Sequence, residues 1–159
     1  FLDAFAVYGW LPNNFKWLMK KELRKIPFVG TACAVAGHIF VDRSNPRAAM
    51  ESLHYIKAQL HDGISTVIFP EGTRTKTGEM GRFKAGAFKI AMDMGLPVVP
   101  ITLKGFYEAM PRGKAFANPR SRVSLHIGKP IDISQFNDIN EAMAAVREKV
   151  AEGLSKPLS

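Results

Sequence analysis

Short runs rich in β-branched and aromatic residues alternate along this chain with stretches whose apolar residues recur at helical spacing, and that alternation restricts the fold more than any other feature. Parallel strands need a crossover between them, and a helix is the usual one. The expectation is therefore an α/β fold: a largely parallel central sheet flanked by helices. The clearest helix follows Ser44-Asn45-Pro46, which offers a cap and then a proline at the first helical position. Ala49, Leu53, Ile56 and Leu60 carry its apolar face, and Gly63 stops it. Phe83, Ala87, Ile90 and Met94 mark a second helix, closed by Gly95 and Pro97. Met143, Val146 and Val150 mark a last one, entered through Asp138 and Glu141 in the manner of a capping box. Further helices are expected over residues 3–11, ending at Pro12, and 27–36, where Gly30 is an awkward member. Strands are expected at residues 15–19, 39–41, 66–69, 98–103 and 123–127.

With 159 residues the chain has room for one domain with a continuous core. Hydrophobic residues at 47% and charged residues at 23% exclude a disordered chain. Lys and Arg outnumber Asp and Glu by 22 to 14, a formal charge of +8. Such an excess favours phosphate-bearing partners: nucleic acid, an anionic membrane surface, or a small phosphorylated substrate. Charge alone does not choose among them. The basic residues are scattered and lack the aromatic-rich motifs of nucleic-acid binders, which argues against nucleic acid. Cys33, the single cysteine, precludes an intrachain disulfide and reads as a buried small hydrophobe. No His-rich or Cys-rich cluster has metal-ligand spacing. No stretch approaches the ~18 apolar residues of a spanning helix.

In open α/β sheets, ligands gather beyond the carboxyl ends of the strands. Two charged clusters fall at such ends, Asp42-Arg43 and the run Phe69-Pro70-Glu71-Gly72-Thr73-Arg74. Gly72 lets a ligand oxygen approach its backbone N–H, Thr73 offers a hydroxyl, and Arg74 a planar fork suited to phosphate. Glu71 cannot bind an anion; it would orient Arg74 or a substrate hydroxyl. Arg43 would be a second phosphate ligand converging with Arg74, and Arg82 and Lys84 would add positive charge. The competing reading is a strand-ending turn with solvated charges and a surface Arg43 paired with Asp42.

The order of these segments resembles the glycerolipid acyltransferase family, in its lysophosphatidic acid acyltransferase group. Gly37-His38-Ile39-Phe40-Val41-Asp42-Arg43 is similar to the family's second block, Phe69 to Arg74 to its third and most specific, and Leu96-Pro97-Val98-Val99-Pro100-Ile101 to its fourth. Lys20-Lys21-Glu22-Leu23 and Ile26-Pro27-Phe28-Val29-Gly30 extend the likeness towards the start. The first block is a His, four residues, then Asp. Phe1-Leu2-Asp3 looks like its tail, so the His is expected three residues before Phe1 and the chain is expected to be an N-terminally truncated catalytic domain. His38, His54, His61 and His126 do not stand in for it.

The resemblance implies acyl transfer from a thioester, acyl-coenzyme A or acyl-acyl carrier protein, to the sn-2 hydroxyl of lysophosphatidic acid. Asp3 would hold the missing His as it acts as general base, while Arg43, Gly72, Thr73 and Arg74 bind the acceptor's phosphate and Glu71 assists. No cofactor or metal is implied. Alternatives are another acceptor (glycerol 3-phosphate or another lysophospholipid) or a non-catalytic domain that binds anionic lipid. An amphipathic acceptor implies work at a membrane, on the cytoplasmic face of a bacterial inner membrane or an equivalent organelle membrane. Trp10, Phe15, Trp17 and Leu18, mixed with Lys16, Lys20, Lys21, Arg24 and Lys25, would seat the domain on an anionic surface, unless the aromatics are core and the lysines solvated.

Overall fold

The computed structural model describes residues 2–11, 14–42, 56, 58, 63–73, 75, 77–111 and 116–158. The chain packs as two compact units, Asn13–Ile68, and Phe1–Pro12 together with Phe69–Ser159.

In the unit Asn13–Ile68, strand β1 (Phe15–Lys20) lies between β2 (Ile39–Val41) and β3 (Ser65–Val67), and both pairings are parallel. The first half of β1 pairs with β3, from Phe15↔Ser65 to Trp17↔Val67. Its second half pairs with β2, from Leu18↔Ile39 to Lys20↔Val41. This is the parallel sheet that the alternation of segments predicts. Side chains on a strand alternate between its faces, so Phe15 and Trp17 share one. Both are buried, with ring centroids 5.7 Å apart and the rings nearly perpendicular. Of the two readings open for these aromatics, membrane seat and core, the core holds for Phe15 and Trp17, whereas Trp10 is exposed. Lys16, between them, donates from Nζ to the Ala36 carbonyl at 2.8 Å.

The basic stretch after β1 forms a 3₁₀ turn, Lys21–Lys25, and α2 (Val29–Val35) follows. Gly30 is no longer awkward. It is buried, and a Cβ there would overlap the Arg24 backbone carbonyl, so only glycine lets α2 close onto the turn. The helix expected after Ser44-Asn45-Pro46 lies mostly outside the described residues; Ile56 and Ala58 within it are helical, and Ile56 is fully buried. β3 is shorter than the expected 66–69. Pro70 has no N–H to contribute to a ladder, and Phe69 stands exposed.

The other unit holds α1 (Leu2–Trp10), α3 (Gly86–Met94), β4 (Ile101–Lys104), α4 (Phe106–Ala109), β5 (Ser124–Ile127), a 3₁₀ turn (Ile133–Gln135) and α5 (Ile139–Ser155). β4 and β5 pair antiparallel, from Ile101↔Ile127 to Lys104↔Ser124, as a ladder of their own. The core gathers Phe83, Phe88, Ala91, Ile133, Ala142 and Val146. Phe83 belongs to it without being helical, since α3 begins only at Gly86; its ring stacks on Phe88 at 6.2 Å. Gly95 ends α3 in the left-handed conformation, with Gly95 N–H to Met92 O and Leu96 N–H to Ala91 O completing a Schellman motif. Asp138 caps α5 by accepting from the N–H groups of Asn140 and Glu141, while Glu141 reaches back to the Asn137 N–H at 3.2 Å. That is the expected capping arrangement, shifted one residue outward on its return bond.

Candidate functional site

Directly after β3 in sequence, Phe69-Pro70-Glu71-Gly72 folds as a tight turn. Proline presets the backbone at the second position, and the Gly72 N–H donates to the Phe69 carbonyl at 3.0 Å. Gly72 takes φ 72°, a conformation that a side chain disfavours. Two long-range bonds then fasten this turn to residues 81–84. The Lys84 N–H donates to the Pro70 carbonyl at 2.9 Å, and the Gly81 N–H donates to Glu71 Oε2 at 2.8 Å. A Cβ on Gly81 would stand 2.7 Å from that oxygen, so a side chain there would make the carboxylate move.

The loop between these anchors is held by its own hydroxyls. Thr75 Oγ1 accepts from the N–H groups of Thr77 (3.2 Å) and Gly78 (3.1 Å), and Thr77 Oγ1 accepts from Glu79 N–H (3.3 Å). From α5, the Arg147 guanidinium donates to the Met80 carbonyl at 3.4 Å. Together they frame a cleft of about 280 Å³, open to solvent and lined in part by Thr73, Thr75, Thr77, Arg82 and the carboxylates of Glu71 and Glu79. Hydroxyls and a guanidinium are donors for an anionic oxygen. Of the two acids, Glu71 already spends an oxygen on Gly81.

The structure distributes the expected site residues as follows. Glu71, Gly72 and Thr73 sit together on the laced turn, with Thr73 exposed at the cleft. Gly72 acts there through its backbone conformation, because its N–H is turned to Phe69. Arg82 lines the same cleft, whereas Lys84 serves the loop through its backbone. Arg43 and Arg74 lie outside the described residues, and so does their expected convergence. Asp42 is half-buried and pairs with Lys21 at 3.3 Å. Asp3 lies in the first turn of α1, half-buried, and accepts from the Ala4 N–H at 3.0 Å.

His38 is structural, as expected. Its Nδ1 accepts from the Trp17 N–H at 3.3 Å. Burial, and secondarily the positive charge of Lys16, hold its pKa below the ordinary histidine value. Cys33 is half-buried on α2. Sequence reasoning missed Gly81 and Arg147, the two supports of the cleft. No spacing rule links residue 71 to 81 or 80 to 147; an isolated glycine in a polar loop was the only signal.

Comparison with known proteins bears on this arrangement. A family model described as Acyltransferase matches residues 1–104. A chloroplastic 1-acyl-sn-glycerol-3-phosphate acyltransferase of Arabidopsis thaliana is 37% identical over 155 residues, covering 97% of this chain and 42% of the relative. A 1-acyl-sn-glycerol-3-phosphate acyltransferase of Pseudomonas aeruginosa is 42% identical over 100 residues, covering 62% of this chain and 38% of the relative. The crystal structure of the 1-acyl-sn-glycerophosphate acyltransferase PlsC from Thermotoga maritima superposes with a TM-score of 0.79 at 32% identity, covering 96% of this chain and 60% of that one. The chain thus spans less than half the length of these two sequence relatives.

Proposed function

Because this chain belongs to the acyltransferase family, we propose that its protein moves an acyl chain from a thioester to the sn-2 hydroxyl of lysophosphatidic acid, giving phosphatidic acid. The observation that supports the reading is the laced turn Phe69–Gly72, which presents Thr73 at a hydroxyl-lined cleft of a size for a phosphate headgroup. The names of the relatives supply the acceptor.

In the proposed reaction a histidine upstream of Phe1 takes the proton of the acceptor hydroxyl, while Asp3 holds its ring and stabilises the imidazolium. The alkoxide attacks the thioester carbonyl, an ester C–O bond forms, the C–S bond breaks, and the thiolate leaves with the proton returned by the imidazolium. Either coenzyme A or acyl carrier protein suits as the thiol carrier. Arg43, Thr73 and Arg74 hold the acceptor's phosphate, which fixes its hydroxyl beside the base, so their contribution is positional as well as adhesive. Glu71 supports the loop through Gly81. The amphipathic acceptor puts the protein on a membrane surface, the cytoplasmic face of a bacterial inner membrane or its organelle equivalent; no described helix is long and apolar enough to cross one.

The test is thiol release from acyl-coenzyme A and acyl-acyl carrier protein with a panel of lyso-acceptors, using the protein with its natural upstream residues. Arg74→Ala should raise KM for lysophosphatidic acid far more than for the thioester. A variant that loses thioester affinity alone overturns the assignment.

A further inference from the structure

Phe28 is the exposed residue that the fold has least reason to keep. It is 91% exposed, and its backbone sits at φ 62°, ψ −49°. With the Val29 N–H donating to the Pro27 carbonyl at 2.7 Å, this is a γ-turn of the rare positive-φ kind, strained for any residue that carries a Cβ. An aromatic ring placed in water on a strained backbone gives nothing to the stability of this unit. Seven residues further along, Val35 is 84% exposed, and Thr31 and Ala32 between them are exposed too. Residues 31, 32 and 35 lie on the outward part of α2 and Phe28 stands just before its first residue, so the helix and its entry leave an uncharged, mostly apolar run in solvent.

What lies beside that run gives it a partner. Gly30, on the other side of α2, is packed against the backbone of Arg24, which fixes the helix directly on the 3₁₀ turn Lys21–Lys25. Residues 14–42 carry Lys16, Lys20, Lys21, Arg24 and Lys25 against Glu22 and Asp42, and Lys20, Lys21, Arg24 and Lys25 are all exposed. Lys20 pairs with Glu22 at 3.4 Å, Lys21 with Asp42 at 3.3 Å, and Arg24 lies over the Phe40 ring, which leaves the turn a net positive charge at its exposed surface. Two large apolar side chains next to such a basic turn are too small an area for a stable protein interface, but they match a surface with apolar depth beneath anionic phosphates.

We propose that α2 and the 3₁₀ turn before it form a docking face for an anionic lipid surface, with Phe28 and Val35 entering the headgroup boundary and Lys20, Lys21, Arg24 and Lys25 meeting lipid phosphates. Nothing in this rests on acyl transfer. Lipid binding and turnover are read separately, so either proposal can fail while the other stands.

The experiment is co-sedimentation of the full chain with vesicles of phosphatidylcholine, alone or mixed with phosphatidylglycerol, at low and high salt. The unsubstituted protein should bind the mixed vesicles and release as salt rises. Phe28→Gly should lower the partition coefficient by tenfold or more, on the order expected for withdrawing a phenylalanine from an apolar phase. Its thermal midpoint should not fall, since glycine relieves the strained turn. Lys25→Gln should cost roughly fivefold, and Phe116→Ser, which removes an equally exposed ring from the other unit, should change nothing. The proposal is overturned if the mixed vesicles bind no better than neutral ones. It is equally overturned if Phe28→Gly leaves partition unaltered, or if it abolishes self-association of the protein in the absence of lipid, which would make the occupant a second copy.

Discussion

The Glu71–Gly81 bond assigns Glu71 a task that substitution can isolate. Glu71→Ala removes the acceptor of the Gly81 N–H, whereas Glu71→Gln keeps an oxygen at that place and removes only the charge. A hydrogen bond from an N–H to a charged group contributes about 1.5–3 kcal/mol, and a neutral one about 0.5–1.5 kcal/mol. Glu71 is half-buried, so the lower end of the first range applies. The alanine variant should then weaken closure of the 71–82 loop by about 1.5 kcal/mol, roughly tenfold in population. The glutamine variant should lose about 0.5–1 kcal/mol, two- to fivefold. Hydrogen exchange at the Gly81 amide reads this directly, and KM for the acceptor of the proposed reaction should rise by at most the same factor. Gly81→Ala should mimic Glu71→Ala, because its Cβ would stand 2.7 Å from Oε2 and evict the carboxylate. The double variant should be little worse than either single one, as expected of two groups in one bond. If Glu71→Gln abolishes turnover while Gly81 exchange stays slow, the charge acts in the chemistry and the reasoning from loop support is wrong.

Two further outcomes follow from the packing. Since burial and then Lys16 lower the pKa of His38 from the ordinary 6.5, the unfolded chain binds more protons than the folded one in the window just below that value. This part of the stability is complete above about pH 6.5 and declines as the pH falls through the window. His38→Asn, with Oδ1 near the place of Nδ1, should flatten the pH dependence of the melting temperature; an unchanged slope would remove His38 as its source. Gly30→Ala should destabilise by about 2–3 kcal/mol through overlap with the Arg24 backbone. Gly9→Ala in α1, where nothing lies within 4 Å of the new Cβ, should stabilise by about 0.5–1 kcal/mol. Urea unfolding giving both changes the same sign would refute that contrast.

Much of the fold was legible because it is written in short-range chemistry. The polar cap at Asp138, the stop at Gly95 and the alternation of Phe15 and Trp17 each act within a few residues, and the helices and strands stand close to where those signals put them. The third block was legible too: Pro70 and Gly72 specify a turn whatever surrounds them. Alternatives stayed open where burial decides. Phe15 and Trp17 looked equally fit for a membrane or a core, and only the sheet's packed face settled it. Nothing in the sequence sets Phe28 and Val35 apart, and only the fold leaves them in solvent.

The sequence by itself therefore determined the kind of chain this is: its alternating elements, its basic charge, and the turn chemistry of residues 69–74. Tertiary structure alone decided that Glu71 is spent on Gly81, that Arg147 holds the loop from another helix, and that β4 and β5 form an antiparallel ladder apart from the parallel sheet. The physical reason is range. Periodicity, capping and turn preferences act along the backbone, whereas which side chains meet across tens of residues depends on how the packed faces fit, and no local pattern encodes that.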